Sequence, residues 1–338
     1  MDGETMTIFE RFKNDFTGKT VLVTGGAGFI GSNLAHRLVE LGANVRILDN
    51  LITGHLKNIE QLIGNGVEFI EGDIRDFQTC KDVMAGVDFI SHQAALGSVP
   101  RSVEQPLLSH DHNVNGTINI IYAAIEAGVP RVVMASSSSV YGSEETLPKI
   151  EGKTGNLLSP YAATKSIAEV YGQTMNEVYG IDIVAMRYFN IFGPRQDPNG
   201  PYAAVIPKFI EILKKGESPV IFGDGQQSRD FTYIDNAVYA NLSAMSKKEQ
   251  VGFTSINIAC GERLSVVELV KYLKRSLSNH DSKVAKIEPV FTNKRPGDIL
   301  HSHADISKAK SLLDYCVLID VEEGIEKTVD WFVNQAIF

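Results

Sequence analysis

The chain has 338 residues, of which 43% are hydrophobic and 22% charged, the ordinary balance of a protein that folds around a core. That length exceeds what one core usually holds, so two lobes are expected. The net charge of −9 argues against a general nucleic-acid surface, and no apolar run reaches the ~18 residues that a bilayer span needs. The first sixteen residues carry acids where a signal peptide needs bases and hold no apolar stretch. They read as a short amphipathic helix packed on the outside. Cys80, Cys260 and Cys316 are odd in number and far apart, which fits reduced, partly buried thiols in a cytoplasmic protein.

In chain order, the apolar run Val21-Leu22-Val23-Thr24 ends in Gly25, Gly28 and Gly31, spaced three apart, and a helical pattern follows through Leu34, Leu38 and Leu41. Glycines let the backbone turn tightly and approach a pyrophosphate. The helix that starts there offers unpaired N–H groups and the positive end of its dipole. The next strand, Asn44 to Leu48, ends at Asp49, an acid about 20 residues past the last glycine and placed to accept from both ribose hydroxyls. Its charge would repel a 2′-phosphate, which selects NAD over NADP. Strands are expected at 20–24, 44–49, 67–71, 87–91, 130–136 and 181–188, and helices near 28–42, 55–63, 77–84, 101–127 and 160–179. Such alternation implies α/β architecture: a doubly wound, Rossmann-type parallel sheet covered on both faces. After residue 190, Gly193-Pro194, Asp197-Pro198-Asn199-Gly200-Pro201 and Gly223-Asp224-Gly225 mark loops. Short elements follow, closing on an amphipathic helix near 320–334. Residues 1–190 are therefore assigned to NAD, with later returns near 232–260. Residues 191–338 form mainly a smaller C-terminal α/β substrate lobe over the carboxyl ends of the sheet.

Tyr161-Ala162-Ala163-Thr164-Lys165 puts a phenol and an ammonium four apart, on one face of a helix. A tyrosine with pKa near ~10 is a poor base at neutral pH. A lysine ammonium and a positive nicotinamide ring beside it favour the phenolate, which can then take a proton from an alcohol. The run Ser136–Ser139 lies between Val132-Val133-Met134 and Val140-Tyr141-Gly142, so it reads as a strand end, not a linker. One of its hydroxyls can bond the reacting oxygen and relay a proton to Tyr161.

Longer segments join these: TGGAGFIG at 24–31, Asp49-Asn50, Gly72-Asp73-Ile74, HQAALGSVPRS at 92–102, Asn113-Val114-Asn115-Gly116, SSSSVYG at 136–142, YAATK at 161–165, RYFNIFGPRQDPNG at 187–200, YAAVIPKF at 202–209, Arg229-Asp230-Phe231 and RPGD at 295–298. Through them the chain resembles the extended short-chain dehydrogenases/reductases over residues 18–338. Within that family it is similar to the UDP-hexose 4-epimerases, especially those acting on UDP-N-acetylglucosamine. The resemblance makes Tyr161 the base and Lys165 the anchor of the nicotinamide ribose. Ser137 becomes the catalytic serine, with Ser138 or Ser139 able to share its role. It places Gly25, Gly28, Phe29, Ile30, Gly31, Asp49 and Asn50 on NAD, Asp73 and Ile74 on adenine, Ala94, Ala95 and Leu96 on the nicotinamide side, and Asn113 and Phe189 in the rest of the cofactor pocket. Asn190, Ala204, Val205, Arg229, Arg295 and Asp298 fall where the family holds UDP. A guanidinium there grips a diphosphate with forked, charge-assisted bonds.

The implied chemistry is transient oxidation to a 4-keto sugar, rotation, and return of hydride to the other face, with NAD kept bound. Related dehydratases and decarboxylases carry an acid where Ser138 and Ser139 stand. Its absence favours epimerisation or simple reduction. Ser302, four past the RPGD aspartate, is small where a bulky tyrosine would limit the site to glucose and galactose, so N-acetylhexosamines are expected to fit. The runner-up is a UDP-glucuronate or UDP-N-acetylglucosaminuronate 4-epimerase, whose carboxylate needs a dedicated donor that the sequence does not place. A more distant alternative, a non-catalytic NAD-binding regulator, is opposed by the intact Ser137, Tyr161 and Lys165. No metal is expected: His110-x-His112 lies in a helical context where i,i+2 residues diverge, and His301-x-His303 has no third ligand. Helices near 101–127 and 160–179 carry apolar residues on more than one face (Ile118, Ile120, Ile121, Ala123, Ala124, Ile125). The family pairs them in a dimer, so a homodimer is expected.

Overall fold

A computed structural model describes residues 8–199, 202–293 and 300–334. The first unit is β1 (Thr20–Thr24), α1 (Phe29–Glu40), β2 (Asn44–Asp49) and β3 (Glu68–Glu71). The chain continues through α2 (Phe77–Asp82), β4 (Phe89–His92), α3 (Val99–Glu104), α4 (Pro106–His110), a π-helical turn Asp111–Asn115, α5 (Gly116–Glu126) and β5 (Arg131–Ser137). A 3-10 turn Ser138–Tyr141, α6 (Pro160–Tyr179) and β6 (Asp182–Tyr188) complete the region. A seventh strand, β11 (Phe253–Ile258), adds to β6. The sheet order is β11-β6-β5-β4-β1-β2-β3, with every pair parallel. The order reverses between β1 and β4, and the crevice outside the carboxyl ends of those strands is where such sheets bind ligands.

The strands are near-continuous apolar runs because both faces are covered. Their period of two divides the core. Leu22, Leu48, Ile90, Val132, Met134 and Ile183 pack on one side with Ile120 and Ile121 of α5. Val21, Val23, Ile47, Val133, Val184 and Met186 pack on the other with Leu34 and Leu38 of α1. Phe9, Phe12 and Phe16 of the N-terminal segment are buried, Phe12 edge-on to Tyr239 and Phe16 against Phe89.

The single helix expected over 101–127 is broken. Gln105 stands before Pro106 with φ −133, outside the helical region, because a proline ring disfavours helix in the residue before it and lacks an N–H. The helix near 55–63 is likewise reduced to a 3-10 turn Leu56–Asn58 and a short helix Glu60–Gly64.

The C-terminal elements include β7 (Ile191–Phe192), α7 (Val205–Lys214), β8 (Val220–Phe222), β9 (Ser228–Arg229), β10 (Thr232–Tyr233), α8 (Ile234–Ser246), β12 (Leu264–Ser265), α9 (Val266–Ser278), β13 (Val290–Thr292), α10 (Ser307–Leu313) and α11 (Val321–Asn334). They form two-stranded pairs, β7 with β10, β9 with β12 and β8 with β13. α9 starts in a reciprocal cap between Ser265 and Glu268 and packs on α7 and α11. Cys80 and Cys260 are buried, Cys316 is exposed, and all three are free thiols. Among the described residues no helix is long and apolar enough to cross a membrane.

Candidate active site

A cavity of about 740 Å³ lies at the carboxyl ends of β1 and β4 and runs from the glycine turn to Tyr161. The glycine end is built from backbone. Gly25 has φ +67, and a methyl group there would stand 2.6 Å from the Ala94 amide nitrogen. At Gly31 it would stand 2.2 Å from the Gly25 carbonyl oxygen. No side chain caps α1, so its first N–H groups remain for a ligand. Gly25, Gly28, Phe29, Ile30 and Gly31 all line the cavity. A turn with no room for a Cβ at Gly25 or Gly31, ending in an uncapped helix, fits the pyrophosphate of NAD.

Asp49 and Asn50 line the wall at the end of β2. The Asp49 carboxylate accepts from the amides of Ala27 at 3.0 Å and Leu51 at 2.8 Å, and burial pushes its pKa up. Asn50 donates to Asp73 at 2.9 Å. Arg75 also bonds Asp73 and holds that carboxyl well below the usual carboxylate range. Ile74 reaches the wall, while Asp73 stands beside it as the partner of Arg75 and Asn50. Ala94, Ala95 and Leu96 line the opposite side. Asn113 is fully buried behind them. It takes the Leu96 amide at 2.8 Å and donates to the Thr164 hydroxyl at 3.1 Å, tying that loop to α6. Phe189 packs in the core against Tyr141, not on the wall.

At the far end the first turn of α6 presents Tyr161. Ser159 caps the helix, and the Tyr161 amide donates to the Ser102 hydroxyl at 2.9 Å. Burial pushes the phenol up, and a hydrogen bond with Ser137 opposes it. Lys165 donates to the Ala135 carbonyl at 2.8 Å. Burial pushes its amine down to about 8, with Glu169 opposing. At the phenol, desolvation is the larger cause in the protein alone, and the Ser137 hydroxyl is the group that opposes it. The four serines separate. Ser136 donates to Glu169 at 2.5 Å, and Glu169 is paired with Arg187 at 2.7 Å. Ser137 accepts the Ser139 amide at 3.1 Å, which leaves its own proton for the cavity. Ser138 lines the wall, whereas the Ser139 hydroxyl is buried without a partner and off it.

On the third side, Asn190 has φ +38, donates to the Asp230 carbonyl at 3.0 Å and lines the cavity with Ala204. Val205 begins α7 just behind that wall. Arg229 bonds the Ser228 carbonyl at 3.0 Å, and the Ser302 amide bonds the same oxygen at 3.0 Å. Neither Arg229 nor Ser302 reaches the wall. The buried Asp230 carboxylate takes the amides of Cys260, Gly261 and Ala304, which pins the Ser302 loop; burial pushes it up to about 7. Arg295 and Asp298 lie outside the described residues.

Other wall residues were not assigned from the sequence. Tyr188 and Gln93 line the cavity and share a network with Asn241. His55 meets Asp197 at 3.1 Å across the rim. Asn33 on α1 donates to the Pro194 carbonyl at 3.0 Å and accepts from Arg195 at 2.8 Å. His92 is buried between Thr24 and Thr117, and burial pushes it down to about 3, so it stays neutral. Among the described residues no group of three His, Cys, Asp or Glu side chains could hold a metal.

Residues 21–259 match the model of the NAD dependent epimerase/dehydratase family. The chain belongs to this family. It is 40% identical over 316 residues to a putative UDP-glucose 4-epimerase of Methanocaldococcus jannaschii, covering 93% of this chain and 98% of that one. The fold is similar to the UDP-N-acetylglucosamine 4-epimerase of Methanobrevibacter ruminantium in complex with UDP-N-acetylmuramic acid (TM-score 0.88, 38% identity, 95% of this chain and 100% of that one). It is also similar to the UDP-glucuronic acid 4-epimerase of Bacillus cereus with UDP-glucuronic acid and NAD (TM-score 0.83, 30% identity, 94% and 99%). The family member described here is an NAD-dependent enzyme of the UDP-sugar 4-epimerase and decarboxylase group.

Proposed function

We propose that the chain interconverts UDP-N-acetylglucosamine and UDP-N-acetylgalactosamine by inverting C4 through a transient 4-keto sugar. The observation that carries this reading is the Ser137–Tyr161 hydroxyl pair at one end of a cavity whose other end is the glycine turn. Bound NAD supplies a hydride acceptor for C4 that gives the hydride back. Tyr161 takes the proton of the 4-hydroxyl, aided by Ser137, and returns it to O4 after the keto sugar has turned. Lys165, held at the Ala135 carbonyl, places its charge one helical turn from the phenol. Residues 1–190 with the return near 232–260 hold NAD in this reading. Residues 191–338 hold the UDP-sugar through Ala204, Val205, Arg229, Arg295 and Asp298, together with Asn190 at the end of the first region. Support for the N-acetyl group comes from the M. ruminantium relative and from the small size of Ser302, which stands back from the wall on a loop fixed by Asp230.

The second reading, 4-epimerisation of UDP-glucuronate or its N-acetylamino counterpart, is supported by the B. cereus relative. A homodimer is supported by Val103, Leu107, Val170, Tyr171, Val178 and Tyr179, exposed apolar residues on α3, α4 and α6. Leu107, 84% exposed, is costly to leave in water. The free buried thiols fit a cytoplasmic location. The deciding experiment incubates the protein with UDP-N-acetylglucosamine and no added NAD, followed by NMR. UDP-N-acetylgalactosamine is the expected product. Inertness there with turnover of UDP-glucuronate replaces the first reading with the second.

A further inference from the structure

We infer that Arg101 is a carboxylate receptor at the sugar end of the cavity, and that it suits the site to UDP-N-acetylhexosamines bearing an acid group on the ring. The inference rests on the UDP-sugar reading and, within it, favours the N-acetylamino uronate of the second reading over UDP-N-acetylglucosamine.

Arg101 lies in the first turn of α3, its amide held by the capping Ser98 hydroxyl at 3.1 Å. The next residue, Ser102, takes the Tyr161 amide at 2.9 Å. Arg101 is therefore one residue from the bond that positions the phenol, at the reaction end and away from adenine. Its guanidinium carbon stands 5.1 Å from the centre of the Tyr202 ring, and both residues line the cavity.

The nearest acid on α3 is Glu104, three residues along. Its carboxylate is taken instead by the Tyr202 hydroxyl. No hydrogen bond or ion pair joins the Arg101 side chain to any described residue. A guanidinium is always charged and has five N–H donors, so this one is half-buried with its donors unspent. The Tyr202 ring beside it holds it at this wall. The guanidinium edge offers the forked pair of N–H groups that matches a carboxylate. A diphosphate could use the same fork. However, the arginines that the family resemblance assigns to UDP are Arg229, on β9 of the other lobe, and Arg295. A uronate needs a dedicated donor near the sugar, and Arg101 is a charged donor at that place.

The test is calorimetric titration of the NAD-loaded protein with UDP-N-acetylglucosamine and UDP-N-acetylglucosaminuronate, which differ only at C6. The native protein is expected to bind the acid at least about tenfold more tightly. In Arg101→Gln that ratio should fall to about one, Arg101→Lys should keep part of it, and Tyr202→Leu should lie between. Equal native affinity for the two ligands overturns the inference. So does an Arg101→Gln variant that weakens both alike and leaves the ratio intact, which marks a phosphate contact. Binding is read without turnover. If neither sugar is epimerised, the proposed reaction falls while the affinity ratio still decides the role of Arg101.

Discussion

The two ends of the cavity are made of different material. The cofactor end is backbone: three glycines, uncapped N–H groups of α1, and Asp49 held by two amides. The reaction end is side chains: Tyr161, Ser137 and Lys165, buried where burial opposes the charged form of the phenol and of the amine. A backbone site fails through steric contact, whatever the chemistry of the intruding group. A side-chain site fails through chemistry while its shape persists.

The largest expected effect separates these modes. Tyr161→Phe should keep its NAD and its melting temperature and lose turnover by about 10³-fold, checked by steady-state rates beside the bound-NAD absorbance. Near-native turnover would remove the phenol from the mechanism. Gly31→Ala should do the reverse: its methyl meets the Gly25 carbonyl, so the protein should purify without NAD. Retained NAD would show that the turn can yield. Ser302→Tyr should cut kcat/KM for UDP-N-acetylglucosamine by about tenfold or more relative to UDP-glucose, measured with both sugars. An unchanged ratio would deny the Ser302 loop any role in sugar size.

The smallest effect concerns stability. Lys165 has its pKa lowered from 10.5 to about 8 by burial. Its buried charge therefore weighs against folding in full below pH 8, and the cost is relieved as pH rises from 8 to 10.5, where the unfolded chain binds the extra proton. Lys165→Met should thus gain stability near pH 7, on the order of 3 kcal/mol at most. The gain should shrink by pH 10 in denaturant titrations at the two pH values. A gain that grows with pH would contradict the burial argument.

Local features were legible in the sequence. The strand–glycine–helix unit at 20–40, Asp49 at the end of β2, the serine run as a strand end and the Tyr161–Lys165 pair all rest on neighbours a few residues apart. What depended on distant partners was not. Asp73 sits beside the wall because Arg75 and Asn50 claim it. The Ser136 hydroxyl is claimed by Glu169, 33 residues along, which is itself paired with Arg187, 18 residues further on. The phenol is raised because its burial is a property of the assembled lobes. Over 101–127 two local signals compete: apolar spacing favours one continuous helix, and the ring of Pro106 breaks it at Gln105. That Arg101 has no hydrogen-bonding or ionic partner among the described residues is a fact of three dimensions, with no local signature in the chain.

Asn33 has a consequence for how the rim of the cavity is held. One amide side chain on the helix that faces the pyrophosphate grips the Pro194–Arg195 segment from both sides. The rim residues Gln196, Asp197 and Asn199 follow directly in the chain. That stretch of the later lobe is thereby a passenger of the first helix. One side chain thus sets the spacing between the glycine end of the cavity and this part of its rim.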